Sequence, residues 1–124
     1  MAASKDVILE TIRAYVDHIG AGAVDKVVAL FAENATVEDP VGTEVRTTPE
    51  SIREFYTVID GAAQSATLGL VKVSGGQAAF SFDLHMKRGD RSYTISPIDV
   101  MTFDDDGRIT SMRAFWSDTD LVAS

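Results

Sequence analysis

From Ala78 to Met86 the chain alternates in a way that few folds can satisfy. Ala78, Phe80, Phe82, Leu84 and Met86 take one parity, and Ser81, Asp83, His85 and Lys87 take the other. Successive residues of a strand point to opposite faces, so this segment needs a sheet with one covered face and one polar face. Turn-forming stretches bracket it: Ser74-Gly75-Gly76-Gln77 before and Lys87-Arg88-Gly89-Asp90 after. Further strands are predicted over residues 67–73, over a long run at 92–103, and over 108–116 beyond the turn Asp104-Asp105-Asp106-Gly107. A short strand is predicted over 35–39.

The cover for the apolar face comes from the first half of the chain. Ile8, Ile12, Tyr15 and Ile19 recur at helical spacing, and Gly20 and Gly22 end the stripe. Val24, Val27, Val28 and Phe31 predict a second, shorter helix closed near Asn34. Thr48 is a good N-cap and Pro49 a good first residue for a third helix, which carries Ile52, Phe55, Tyr56 and Ile59 and stops at Gly61. Helices segregated from hairpin-linked strands make an α+β layout, with the helices on one face of a curved sheet. One domain over residues 1–124 accounts for every segment.

Composition narrows the function. Nineteen acidic residues against 11 basic ones give a net charge of −8, the wrong sign for nucleic acid or an anionic membrane. The chain has no cysteine, which excludes disulfides and thiolate chemistry and permits a cytoplasmic home. No run approaches a membrane span, and the N-terminus lacks an apolar signal core. The two histidines, His18 and His85, lie far apart and are read as surface or rim residues, so no metal site is expected. There is no phosphate loop and no nucleophile elbow.

Three polar residues fall where the pattern predicts burial. Asp39 shares strand parity with Ala35 and Val37, and Pro40 follows it. Aspartate before proline is also ordinary turn chemistry. Asp99 shares parity with Ile95, Pro97, Met101 and Phe103, and its strand holds no Lys or Arg to pair with it. Arg113 on the next strand is a candidate partner. An isolated buried charge costs far more than protonation, so Asp99 must be either paired or neutral. Tyr15 lies inside the first helical stripe, where a core tyrosine bonded to backbone would also fit. Together the three describe a proton-transfer site. A carboxylate at a cavity edge can take an acidic proton beside a carbonyl, and a phenol and a carboxylic acid can hold the oxygen where charge develops. Phe80, Phe82, Leu84 and Met86, with Met112, Ala114 and Trp116, are expected to wall a pocket for a flat, apolar ligand; ordinary core is the plainer reading of the same residues.

At these residues the chain resembles the bacterial steroid delta-isomerases, the ketosteroid isomerases. The resemblance rests on Arg13-Ala14-Tyr15-Val16, Val27-Val28-Ala29-Leu30-Phe31-Ala32, Ala35-Thr36-Val37-Glu38-Asp39-Pro40-Val41-Gly42, Ile52-Arg53-Glu54-Phe55-Tyr56, Ala78-Ala79-Phe80-Ser81-Phe82, Pro97-Ile98-Asp99 and Met112-Arg113-Ala114-Phe115-Trp116. It implies a cone-shaped fold of the nuclear-transport-factor-like type, with three helices on a strongly curved mixed or antiparallel sheet. It implies Asp39 as general base, Tyr15 and Asp99 as donors to the oxyanion, and Tyr56 bonded to the Tyr15 hydroxyl. Trp116 would pack on the steroid or donate its indole N–H to the base. Phe31 stands where some members carry another tyrosine. The implied reaction moves a C=C bond from β,γ to α,β conjugation in a 3-ketosteroid, without cofactor. The resemblance also implies a homodimer. Independently, the outer face of the long strand, with Ile98 and Val100 among Thr94, Ser96 and Thr102, would need a second cover.

Two other readings use the same fold. A polyketide cyclase would share the aspartate base, whereas an epoxide hydrolase would need an Asp-Arg-Asp site for which no arginine is evident. A module that only binds an apolar ligand or a protein would keep the aromatic walls and have no need of the paired base and donors.

Overall fold

A computed structural model describes residues 2–123. The single domain expected over 1–124 therefore includes two residues, 1 and 124, that lie outside the described range. Three helices pack on a curved, unclosed mixed sheet. The helices are α1 (Lys5–Gly20), α2 (Val24–Val28) and α3 (Pro49–Asp60). The strands are β1 (Phe31–Glu38), β2 (Ala63–Ser74), β3 (Gln77–Arg88), β4 (Arg91–Ile95), β5 (Ile98–Phe103), β6 (Ile109–Phe115) and β7 (Leu121–Ala123).

Local chemistry sets the helix ends. The Ser4 hydroxyl accepts from the Val7 N–H at 3.2 Å and starts α1. Thr48 does the same for Ser51 at 3.2 Å, with Pro49 next, and starts α3. The apolar stripe of α1 buries Ile8, Ile12, Tyr15, Val16 and Ile19. Gly20 lets the end of α1 lie on the backbone of β2, since a Cβ there would meet the Ala66 nitrogen at 2.6 Å.

The sheet is organised around β3. One edge of β3 pairs with β2 along its whole length, through a tight turn in which Gly75 and Gly76 take φ of 58° and 73°. The other edge forks. Residues 77–81 pair with β5, and residues 84–88 pair with β4. The path then runs from β5 to β6 and, in parallel, to β1, and from β4 to β7. Register shifts within β2, β1 and the β5–β6 ladder mark irregular points in the sheet.

Three expectations change. Phe31, placed in the second helix, begins β1 instead. Its spacing from Val28 fits a helix, but the Ile109 N–H donates to the Leu30 carbonyl at 2.9 Å and draws the chain into the sheet beside β6. The strand expected at 35–39 is thus longer at its start, and Asp39 lies just past its end. The long strand at 92–103 is broken at Ser96-Pro97, where proline has no N–H for a ladder and the partner segment of β3 changes. The short β7 gave no alternation signal and was not anticipated.

Candidate active site

β1 and β6 bring the first two candidate side chains together. Their parallel register sets Val37 beside Met112 and Glu38 beside Arg113. Beyond the strand, the Val41 N–H donates to the Ala114 carbonyl at 2.8 Å, so the chain through Asp39 stays against β6. Asp39 and Trp116 therefore meet, and the indole N–H donates to Asp39 Oδ1 at 2.6 Å. Burial raises the Asp39 pKa from its ordinary value, and the indole hydrogen bond partly offsets this.

Asp99 stands on β5 opposite Phe80 on one side and Ala114 on the other. It is 1% exposed, and its Oδ1 is buried without a hydrogen-bond partner. Arg113 does not neutralise it. Arg113 opposes Val100, lies on the outer face, and pairs with Glu38 at 3.5 Å. An unpaired carboxylate in such surroundings is strongly disfavoured, so the group holds its proton. Burial pushes the Asp99 pKa well above the ordinary value, and the charge on Asp39 pushes it further.

Tyr15 feels the charge of both carboxyls. Its hydroxyl is 2.7 Å from that of Tyr56. Edge-on rings hold it in place, with centroids of Tyr56, Phe80 and Phe82 at 6.0, 6.2 and 6.5 Å. Burial raises the pKa of both phenols well above the usual value, and Asp39 and Asp99 each raise them further, so both are neutral donors.

A cavity of about 400 Å³ opens beside this group. Tyr15 and Asp39 line its closed end, with Phe82, Leu84 and Met86 of β3 facing Phe55 and Ile59 of α3 along the walls. Trp116 lines it as expected. Phe80, Met112 and Tyr56 do not; each is at most 2% exposed and belongs to the core. Asp99, 1% exposed, is also not among the lining residues. Lining residues that sequence reasoning missed include Phe55, Ile59, Arg88, Tyr93 and Leu121. Phe55 and Ile59 carry a signal in their helical spacing, which marks an apolar face without telling pocket from core. Arg88 carried one in its parity with Phe82 but was assigned to a turn. Among the described residues no group of three or more His, Cys, Asp or Glu stands together as a metal site, and no helix is long and apolar enough to cross a membrane.

A family model described as the SnoaL-like domain matches residues 12–112. The chain belongs to the SnoaL-like domain family. The matched span of this SnoaL-like domain holds Tyr15, Asp39, Tyr56 and Asp99 and stops short of Trp116. The chain is also a homologue of the Steroid Delta-isomerase of Nocardioides simplex, at 46% identity over 110 residues that cover 89% of each protein. Among solved structures, it is similar to the epoxide hydrolase/cyclase-like enzyme SalBIII, described for its role in pyran ring formation in the polyether salinomycin. That likeness has a TM-score of 0.90 at 30% identity and covers 98% of both chains.

The burial of Asp99 sets a pH dependence for stability in this SnoaL-like domain. The folded pKa lies above the unfolded value of about 3.9, so above that pH the unfolded state has released a proton that the native state still holds. This contribution therefore lowers stability as pH rises, by up to about 1.4 kcal/mol per pH unit until the folded group titrates. In urea unfolding, Asp99→Asn is expected to gain stability relative to wild type as pH is raised from 4 to 7. A difference that is constant with pH would show that Asp99 is ionised in the native state.

Proposed function

We propose that this chain is a steroid delta-isomerase in which Asp39 is the base and Tyr15 and Asp99 stabilise the oxyanion. The observation that carries the reading is the contrast between two carboxyls near one phenol. One lines the cavity and is hydrogen-bonded by an indole, and the other is almost fully buried with its Oδ1 unpartnered. Homology to a steroid delta-isomerase over most of the chain supports the same reaction.

The chemistry follows from that contrast. The Asp39 carboxylate takes a proton from the carbon between the ketone and the β,γ double bond. The electron pair moves into a dienolate, and negative charge develops on the carbonyl oxygen. Tyr15 and protonated Asp99 donate hydrogen bonds to that oxygen in a water-poor site, where such donors are strongest. Tyr56 supports the Tyr15 hydroxyl from behind. Asp39 then returns the proton to the γ carbon, giving the conjugated enone and restoring the carboxylate. Every proton removed is replaced, so the reaction needs no redox partner.

A cyclase of the SalBIII kind shares the fold and could share the base, and the fold likeness supports that second reading. The epoxide-hydrolase form of it lacks a suitable arginine. The cavity does contain Arg88, but Phe80, the register partner of Asp99, and Arg88 are eight positions apart on β3, roughly 26 Å of strand at about 3.3 Å per residue.

A homodimer fits the outer face of the sheet, where Ile98 and its cross-strand partner Phe115 are 52% and 42% exposed. Sedimentation equilibrium is expected to give twice the 13.3 kDa chain mass, and a single-chain mass would overturn the dimer.

The reaction is tested by the ultraviolet absorbance of enone formed from a β,γ-unsaturated 3-ketosteroid. Asp39→Asn is expected to lower turnover about 10³-fold, at the scale of acid–base catalysis, while steroid binding persists. The pH profile of kcat/KM is expected to rise as Asp39 ionises, at a pH above about 3.9 because burial raises its pKa, and to fall only where the oxyanion donors lose their protons. Undiminished turnover in Asp39→Asn would remove it as the base, and no enone from wild type would favour the cyclase reading.

A further inference from the structure

The charged side chains among the lining residues of the cavity are two: Asp39 at the closed end and Arg88 at the open end. Between them the lining is apolar or aromatic, with Leu84 and Met86 in line along β3. Arg88 ends that strand on the parity of Phe82, Leu84 and Met86, so it belongs to the inner face even though it lies next to a hairpin turn. It is exposed at the mouth, one inner-face position beyond Met86, the register partner of Tyr93, and both Tyr93 and Leu121 also line the cavity.

No hydrogen bond or ion pair holds the Arg88 guanidinium among the described residues. Neither the acid of its own turn nor the one beside the lining residue Leu121 neutralises it. Asp90 in the adjacent turn makes no pair with it, and Asp120 accepts from the Ser117 N–H at 2.7 Å. A hairpin arginine whose only task is solubility has no need to face inward over an apolar wall. In a chain with 19 acids and 11 bases it places an uncompensated positive charge at the mouth.

From Phe82, beside Tyr15, to Arg88 is six positions of β3, roughly 20 Å at about 3.3 Å per residue before the arginine side chain folds back. A ligand that touches both ends must be long, rigid and apolar, with its carbonyl at the closed end and its other polar group at the mouth. We infer that Arg88 is a specificity-determining residue that selects ketosteroids bearing an anionic group, a carboxylate, at the end remote from the ketone. The inference rests on the isomerase reading for the orientation of the substrate. Guanidinium matches carboxylate with two parallel hydrogen bonds, and the apolar rim strengthens that pairing relative to open water.

The test uses a matched pair: a 3-ketosteroid with a carboxylate on its side chain, and the methyl ester of the same acid. Trp116 is the chain's one tryptophan and lines the cavity, so its fluorescence reports binding independently of turnover. Wild type is expected to bind the acid more tightly than the ester, with a preference that shrinks as salt rises. In Arg88→Ala that preference is expected to fall three- to tenfold, the range for a partly exposed charge pair with good geometry, and Arg88→Lys is expected to keep part of it. In turnover the loss should appear in KM rather than kcat. An equal acid-to-ester ratio in wild type and Arg88→Ala would overturn the inference, even if both ligands bind and react. Failure of the isomerase reading shows separately, as absence of enone from either compound.

Discussion

A carboxyl group shut inside an apolar sheet with no cation beside it is the constraint on which the site depends. Asp99 is as buried as the methionines around it, and the arginine on the neighbouring strand faces the other way. Neutrality is then the low-energy state, because the alternative is an uncompensated charge in a medium of low polarisability. The same protein keeps a second aspartate at the edge of a cavity, where an indole N–H steadies its charged form. Burial raises the proton affinity of both side chains, but far more for Asp99 than for Asp39, whose charged form the indole supports. Their mutual repulsion widens the gap, since the charge on Asp39 further disfavours charge on Asp99.

The fold serves this separation. The forked pairing of β3 bends the sheet around the helices and leaves a pocket where α3 and the second half of β3 stand apart. The parallel pairing of β1 with β6 delivers Asp39 and Trp116 to the same place from strands distant in sequence. A cluster of edge-on aromatic rings and the hydrogen bond to the Tyr56 hydroxyl fix the position of the Tyr15 phenol. Buried donors fixed in advance need little rearrangement when charge appears on a substrate oxygen, which is the physical basis of their value in catalysis.

Much of this was legible from the chain. The helical stripes of α1 and α3 and the alternation of β3 located the core, and Asp99 betrayed itself as the polar residue in an apolar run. The parts that were not legible depend on tertiary pairing. Phe31 fits a helix by spacing and became a strand residue because β6 offered its backbone a partner. Pro97 broke a run that read as continuous, since the two halves pair with different stretches of β3. Phe80 and Met112 share the parity of wall residues yet lie in the core, because parity tells which face a residue takes and says nothing of how deep it lies. Arg88 shows the converse. Parity placed it inward, but its position beside a turn suggested solvent, and the strand continued far enough to carry it to the mouth.

The most direct measurement is the carboxyl ¹³C resonance of Asp99, assigned by its loss in Asp99→Asn and followed with pH in protein carrying ¹³C-labelled aspartate. The account requires the chemical shift of a protonated acid at neutral pH, while Asp39 already shows that of a carboxylate. An ionised Asp99 at neutral pH would contradict it, and would leave the shared pocket without its second donor.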